Sequence, residues 1–379
     1  MIKKIILIAV NALLLIAFII CLVMSSTIRT SLRSQQAARA WGGQSGERFS
    51  QISVFIPETA AFNEDNLRMT RASIDNYFAM ASIEAPPDRT LYTEAWSGSG
   101  SVSVIGERGD ATANAIAVGG DFFLFHPLFL RDGSYISPND VMRDRVVLDE
   151  ELAWRLFGSV RISGLEITIN TRPFTIAGVI SRESDFASLA AYNYGYDLFD
   201  PAPASLFMSY EAFSDMLEGE AEITCYEIVM PDPISGFALE GVTKAVTIDG
   251  VHIVENTTRF SLGKTFAGIG AFGERSIRTN AIAFPYWENA ARYAEDWLAL
   301  LLFLSLVFIA FPLICGIVYL VKIIRFAIKR GKNIVSKAIV KHDKRAYEKY
   351  MLKHSDDVDK NFEVFDVDDI IRESKEENS

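Results

Sequence analysis

Two long apolar stretches stand out from an otherwise mixed pattern of apolar and polar residues. The first runs from Ile5 to Met24 and is interrupted by Asn11 alone, and the second runs from Trp297 to Val321 without a charge. About 20 apolar residues suffice to cross the hydrocarbon core of a bilayer, so both stretches are predicted to be transmembrane helices. The first is longer than the apolar core of a secretory signal and lacks a small-x-small motif at its end, which favours an uncleaved anchor.

The charges that flank the two stretches predict their orientation. Lys3 and Lys4 precede the first stretch, and a run of basic residues follows the second: Lys322, Arg325, Lys329, Arg330 and Lys332. Basic flanks tend to stay on the cytoplasmic side of a membrane. We therefore expect a two-span protein of the cell (plasma) membrane, with both termini in the cytoplasm and the main domain outside it.

Between the stretches, short alternating segments are mixed with helical ones. Arg48 to Pro57 alternates as a strand that ends at a proline, and Glu64 to Ile83 carries apolar residues at helical spacing. Gly164 to Ile180 predicts two strands joined by a turn near Asn170, whereas residues 181–208 are predicted to be irregular. Because strands and helices do not alternate strictly, the pattern indicates an α+β fold, with two lobes.

An acidic stretch, Asp149-Glu150-Glu151, is the first candidate for chemistry. Aspartate is a favoured N-cap, acidic residues interact well with the first turn of a helix, and Gly158 is well placed to end a helix that starts here. Each carboxylate thus has a structural role, and the sequence offers no partner that would shift a pKa for acid–base catalysis. The stretch is predicted to be the start of a helix.

Other catalytic and metal-binding patterns are missing from the sequence. His126 and His252 belong to no metal-ligand motif, and His126 is expected to be a hydrogen-bonded core or turn residue. The segment Gly263 to Thr265 resembles the end of a phosphate loop, but Thr258 stands where the first glycine is required. No catalytic, cofactor-binding or metal-ligating residue is therefore predicted, and no cofactor or enzymatic activity. The net charge of −11 argues against a nucleic-acid partner.

Changes in composition predict the organisation of the chain. Residues 322–354 are basic and amphipathic, as expected of a helix on an anionic inner membrane surface, and the tail after them is acidic and poor in apolar residues. The predicted parts are a transmembrane helix (1–25), a stalk helix (26–46), an extracytoplasmic α+β domain (47–283), a stalk (284–296), a transmembrane helix (297–321), a basic cytoplasmic helix (322–354) and a disordered tail (355–379).

Five blocks of sequence, in order, resemble the MacB-type periplasmic core domain of ABC-transporter permeases with large ectodomains. They are Val118 to Phe125, Leu128 to Gly133, Val146 to Gly158, Gly164 with Ile167 and Ile169, and Pro173 to Val179. The resemblance covers roughly residues 40–280 and is densest from 115 to 180. It implies a two-lobed α+β ectodomain on helical stalks, moved by a cytoplasmic ATPase, with no catalytic residues in these blocks.

The sequence departs from this family in its spans. Family permeases have one span before the ectodomain and three after it, whereas only one follows here. We therefore expect a non-enzymatic membrane subunit that works with a separate ABC permease and a cytoplasmic ATPase, and whose outer domain binds substrate or partner proteins. The alternative is a membrane-anchored sensor or scaffold that kept the ectodomain without transport; a membrane-anchored enzyme is a third hypothesis, which no residue pattern supports.

Overall fold

The computed structural model describes residues 2–43, 46–85, 89–194, 202–219, 221–273 and 282–353; the predicted acidic tail, 355–379, lies outside them. The helices within these ranges are α1 (Ile2–Ser31), α2 (Ala37–Gly42), α3 (Glu64–Met80), α4 (Phe122–Phe125), α5 (Glu150–Phe157), α6 (Phe186–Tyr192), α7 (Tyr210–Met216), α8 (Phe237–Ala245), α9 (Leu262–Ile269) and α10 (Tyr286–Lys353). The strands are β1 (Phe49–Phe55), β2 (Thr93–Gly106), β3 (Gly109–Gly120), β4 (Phe129–Gly133), β5 (Arg145–Asp149), β6 (Glu166–Ile169), β7 (Arg172–Ser181), β8 (Ser205–Ser209), β9 (Cys225–Pro231) and β10 (His252–Glu255).

All of these strands belong to one mixed sheet with the order β10-β1-β9-β2-β3-β8-β5-β7-β4. Strand β6 pairs with both β2 and β7, so β2, β3, β8, β5, β7 and β6 form a closed ring of hydrogen-bonded strands. The other end of β2 pairs with β9 and leads to the open part of the sheet, β9-β1-β10. The α+β class is confirmed, and the ring and the open part share the long strand β2.

Strand β1 is buried on both faces, which shows where the core lies. All seven of its residues are buried. On one face, Ile52 and Val54 pack in a core cluster with Phe78 of α3 and with residues of α8. On the other face, Phe55 belongs to a second cluster that includes residues of α2 and Trp287 at the start of α10. The segments next to the candidate membrane helices therefore pack against the open part of the sheet.

The predicted helix after the acidic stretch is present with its predicted ends. The Asp149 side chain accepts a hydrogen bond from Leu152 N over 2.7 Å, and Gly158 adopts a left-handed conformation with φ 70°. The predicted hairpin is also present: β6 and β7 pair directly around Asn170, which has φ 53°. Asparagine tolerates this region better than most residues, so the tight turn needs no glycine.

Residues 181–208, predicted to be irregular, contain helix α6 and strand β8. Asp185 caps α6 by accepting hydrogen bonds from Ala187 N and Ser188 N. All five residues of β8 are buried: Leu206 and Met208 pack in the first core cluster, and Phe207 packs in the second, on the opposite face. A strand buried on both faces lacks the apolar–polar alternation on which the sequence prediction relied.

The helix that begins in the first apolar stretch ends at Ser31 and does not continue to residue 46. A short 3₁₀ turn, Arg33–Gln35, and helix α2 follow it. The Gln36 side-chain amide lies 3.3 Å from the carbonyl oxygens of both Arg29 and Thr30, where it satisfies acceptors that have no partner within the helix. Buried Leu32 then turns the chain toward the sheet.

Helices α1 and α10 are the two described helices that are long and apolar enough to cross a membrane. The apolar residues of α1 are mostly exposed in the isolated chain. In α10, the residues up to Ile309 belong to the same compact unit as the sheet, and the chain from Ala310 forms a second unit. That second unit is helical through Lys353, is exposed throughout most of its length, and carries the basic run.

Candidate functional site

A buried arginine joins three separate segments of the chain. Arg259 follows β10, and its Nη1 and Nη2 donate to the two carboxylate oxygens of Glu288 over 2.6 and 2.8 Å. Its Nε donates to Glu295 over 2.6 Å, and Nη1 lies 3.4 Å from Gln35 Oε1. Gln35 comes directly after α1, and both glutamates lie in α10. One guanidinium therefore contacts both the segment that follows α1 and the beginning of α10.

The geometry of this Arg259 cluster (Gln35, Arg259, Glu288 and Glu295) follows from helical spacing and side-chain shape. Glu288 and Glu295 are seven residues apart, which is about two turns, so they share one face of α10. The planar guanidinium can bind one carboxylate through two parallel hydrogen bonds and still donate elsewhere. The cluster thus ties α10 to the loop after β10 at two points about two turns apart.

Burial makes the charges of this cluster depend on one another. The side chains of Arg259 and Glu288 are only 4% and 1% exposed. Burial opposes the charge on Arg259, but the carboxylate of Glu288 and then that of Glu295 outweigh it and raise its pKa. Burial raises the pKa of Glu288, and Arg259 limits that rise. Each partner is needed to keep the other ionised away from water.

A glutamine in β1 attaches the segment after α1 to the sheet. Gln51 is fully buried; its Nε2 donates to Ser34 O over 2.7 Å and its Oε1 accepts from Ala37 N over 3.0 Å. Its backbone N donates to Thr257 Oγ1, and its backbone O accepts from Asn256 N, both over 2.8 Å. Gln51 therefore fixes both the chain that leaves α1 and the loop that carries the arginine.

Apolar contacts surround these hydrogen bonds. Leu32, Ala187, Ala290 and Ala294 form a buried cluster of their own, with partly buried Tyr293 packed against it. Ala187 of α6 shares this cluster with Ala290 and Ala294 of α10, which adds dispersion contacts to the polar ones. We call the Arg259 cluster, Gln51 and this apolar cluster together the helix junction.

His126 lies next to the junction in a buried hydrogen-bond network. Its Nε2 is hydrogen-bonded to Glu227, whose other carboxylate oxygen accepts from Ser53 Oγ over 2.6 Å. The ring packs against Trp287, with centroids 4.3 Å apart. The serine hydroxyl donates to the glutamate and not to the imidazole, which differs from a nucleophile activated by a base. The structure places His126 in the core, as the sequence indicated.

The acidic stretch that begins at Asp149 is also held in place by buried hydrogen bonds and an ion pair. Besides capping α5, Asp149 accepts from Ser205 N over 2.6 Å and from Arg182 Nε and Nη2 over 2.9 and 2.6 Å. Its side chain is 1% exposed. The N-cap was predictable; Arg182, 33 residues further on, was not.

The contacts of the phosphate-loop-like segment also give it a structural role. Gly263 to Thr265 lie in α9, where Lys264 Nζ pairs with Glu255 over 3.2 Å. In the described part of the chain, no group of three or more His, Cys, Asp or Glu side chains could hold a metal ion. What the helix junction can do is mechanical: it holds the segment that follows α1 and the beginning of α10 in fixed contact with one sheet. No local pattern indicates Arg259 as a site residue, because its partners lie 224, 29 and 36 positions away.

The fold is that of a membrane-anchored α+β domain, in which one junction joins the sheet to two candidate membrane helices. The sequence model of the MacB-like periplasmic core domain matches residues 7–232, more than half of the chain, and the protein therefore belongs to this family. The match begins within α1, earlier than the resemblance near residue 40 suggested.

Three solved structures are similar to this chain. The periplasmic region of MacB from Actinobacillus actinomycetemcomitans has 17% identity and a TM-score of 0.39, covering 55% of this chain and 89% of that one. The extracellular domain of the noncanonic ABC-type transporter YknZ from Gram-positive bacteria has 11% identity and a TM-score of 0.35, covering 54% and 99%. A domain of a putative permease protein from Porphyromonas gingivalis has 14% identity and a TM-score of 0.30, covering 55% and 89%. No curated protein matches the sequence significantly.

Membership of this family gives the protein its general role. The family is that of ABC-transporter permease components, which are not themselves enzymes, and this chain has a permease-like role in a membrane. Its MacB-like domain is flanked by two candidate membrane helices and is extracytoplasmic.

Proposed function

We propose that this protein is a two-span, non-enzymatic subunit of an ABC-type membrane complex, with both termini in the cytoplasm. Its outer domain binds substrate or partner proteins, and it works with a separate permease and a cytoplasmic ATPase. The outer domain moves together with the membrane helices because the helix junction ties them to the sheet.

The Arg259 cluster is the observation that carries this proposal. An anchor that only tethered a domain would need no buried contact between its two helices and the sheet. Here the guanidinium contacts Gln35 after α1 and two turns of α10, and Gln51 holds the chain after α1 to β1. A displacement of either helix along or across the membrane is therefore passed to strand β1 and to the loop after β10.

The number of candidate spans supports the need for other subunits. The described chain offers two helices that could cross a membrane. Two helices cannot surround a solute path, and the two apolar stretches carry no charged residue that would serve one. Transport would therefore require further membrane helices from a partner.

Affinity purification from native membranes in a mild detergent tests this proposal. The tagged full chain should retain an ATPase and a multi-span permease in constant proportion, and Arg259→Gln should keep these partners while losing their ATP-dependent effect on the outer domain, measured by protease protection. Arg68→Gln, an exposed arginine on α3 paired with exposed Asp65, is the matched control. Repeated isolation of the wild-type chain without either partner would overturn the proposal.

A sensor or scaffold is the second candidate, and the second unit of the chain favours it. The helix continues past the apolar stretch to Lys353 as an exposed basic segment, a surface suited to a cytoplasmic partner. Deletion of residues 341–379 distinguishes the scaffold function from the function as a subunit of a transport complex. If the protein is a scaffold, the deletion abolishes its phenotype while any membrane complex still assembles.

A further inference from the structure

A cavity of about 490 Å³ lies between the end of α1 and the outer domain. Thr27 and Ser31 of α1 line one side, and Arg33 follows them. Phe129 and Arg131 of β4 line the other side, together with the segment from Ser181 to Asp185. This headgroup cavity, as we call it, is separate from the Arg259 cluster and has no part in the function proposed above.

Three arginines and two acidic residues, Glu183 and Asp185, line the headgroup cavity, so its formal charge is positive. The carboxylate of Asp185 is occupied in capping α6. Burial, the largest effect, raises the pKa of Glu183, which favours its neutral form. Arg182 is held by Asp149 and Glu151.

Two further arginines remain to face a ligand. Arg131 is about half exposed and pairs with Glu150 over 3.2 Å, so it can still reach an anion. Arg33 is exposed and forms no salt bridge among the residues that the structure describes, although its charge acts on Glu183, which lines the same cavity. An exposed arginine whose guanidinium is not used in a salt bridge within the described residues is suited to a phosphate, which it can bind through two parallel hydrogen bonds.

The position of the cavity along the axis of α1 indicates the source of that phosphate. The apolar stretch of α1 ends at Met24, so Thr27 and Ser31 lie about 4.5 and 10 Å further along the helix axis, at 1.5 Å per residue. The headgroup region of a bilayer extends roughly 5–8 Å beyond each side of the hydrocarbon core. If α1 spans the membrane, Thr27 lies at the level of the lipid headgroups and Ser31 lies just above it, so the cavity begins at that level.

Exposed aromatic side chains beside the cavity point to the same level. Phe129 is 59% exposed with the Arg131 guanidinium 5.4 Å from its ring, and Phe186 is 51% exposed. Phe186 also contacts Trp297, the first residue of the second apolar stretch, with ring centroids 5.1 Å apart. Aromatic residues are enriched where a protein meets the membrane–water interface. The cavity rim is therefore suited to a lipid surface.

We infer that the headgroup cavity binds the phosphate of an anionic phospholipid in the outer leaflet, with Arg33 as its main ligand and Arg131 as a second. The inference rests on the two-span placement under the proposed function, and it is independent of any permease or ATPase partner. A bound lipid would fill the space between α1 and β4 and hold the domain at a set height above the bilayer.

Native mass spectrometry of the full chain, released from detergent, tests this inference. With phosphatidylglycerol added, the wild type should retain one lipid, and phosphatidylcholine should be retained less. Arg33→Gln should weaken phosphatidylglycerol binding about tenfold or more, because a charge-assisted contact to phosphate is lost. Arg33→Lys should keep part of the binding, and the control Arg68→Gln should keep all of it.

Three results would overturn the inference. They are equal retention by the wild type and Arg33→Gln, equal loss in Arg68→Gln, and displacement of the lipid by millimolar inorganic phosphate, which would mean a site for free anions. Failure of the two-span placement is recognised separately, by thiol labelling of the outer domain in intact cells. Arg33 is exposed, so its substitution is not expected to prevent folding.

Discussion

Replacing Arg259 by methionine tests the helix junction at its most buried charge. The substitution removes the donors that reach Glu288 over 2.6 and 2.8 Å and Glu295 over 2.6 Å. Glu295 is partly exposed, at 16%, and can turn toward water, whereas Glu288 is 1% exposed and cannot. Most of the cost of the substitution therefore comes from the buried carboxylate of Glu288, which keeps only the smaller favourable effect of Arg292.

The size of the effect follows from that carboxylate. Removing one partner of a buried ion pair costs about 3–5 kcal/mol, whereas replacing both by apolar residues of similar volume is often neutral. Arg259→Met should therefore destabilise the junction by about 3–5 kcal/mol, and Arg259→Met with Glu288→Leu should recover most of that loss. A domain is typically stable by only about 5–15 kcal/mol, so the single variant should open the junction easily.

The effect of pH on Arg259→Met has a definite sign. Burial already raises the pKa of Glu288, and loss of Arg259, which limits the rise, moves the pKa further up. A folded-state pKa above the unfolded one means that stability is greatest below the unfolded pKa and falls as pH rises through the folded pKa. The single variant should therefore be closest to the wild type in mild acid and furthest from it at alkaline pH.

Hydrogen exchange of the full chain in detergent measures this junction directly. Amides of residues 256–260 and 286–296 should lose protection in Arg259→Met and regain it in the double variant. Trp287, packed 4.3 Å from the His126 ring, should report the same opening by fluorescence. A single variant within 1 kcal/mol of the wild type at these amides, or a double variant no better than the single, would refute this account of the junction.

Three further predictions concern the outer domain. Asp149→Ala should lower the thermal midpoint of unfolding strongly, because it removes a helix cap worth about 1 kcal/mol and leaves Arg182 without its buried partner. A loss of stability no larger than that of an exposed cap would contradict the burial of this pair. Gly158→Ala should cost at least about 1 kcal/mol because φ is 70°, whereas Gly263→Ala in α9, with open space around it, should be neutral or slightly stabilising in the same unfolding assay. Burial raises the pKa of the Cys225 thiol well above its usual range. A maleimide should therefore label Cys225 at pH values up to 9 only after the chain is unfolded. Rapid labelling of the folded chain would contradict the burial of this thiol.

The sequence predicted best where the determining contacts are local. The cap at Asp149 and the left-handed glycine at position 158 lie nine residues apart, and the turn at Asn170 joins neighbouring strands. At each of these positions, the local backbone conformation determines which residue types are favoured. These elements are therefore present as predicted.

Prediction failed where pairing is between distant segments. Strand β8 exists because β3 and β5 flank it, and the ring closes because β6 pairs with β2, about 65 residues earlier. The helix junction is a further case: the spacing of Glu288 and Glu295 indicates one face of a helix, but nothing in the sequence indicates that Arg259 meets it. Two-body contacts between distant residues leave no periodic pattern to detect.

Labelling of single cysteines in intact cells tests the central claim, that the MacB-like domain lies outside the cytoplasm between two membrane spans. With Cys21, Cys225 and Cys315 replaced by alanine, one new cysteine is placed at exposed Met69 on α3 and another at exposed Lys337 in the basic segment. A membrane-impermeant maleimide should label Met69→Cys in intact cells and Lys337→Cys only after the membrane is permeabilised. Labelling of Lys337→Cys in intact cells while Met69→Cys stays protected would contradict the account.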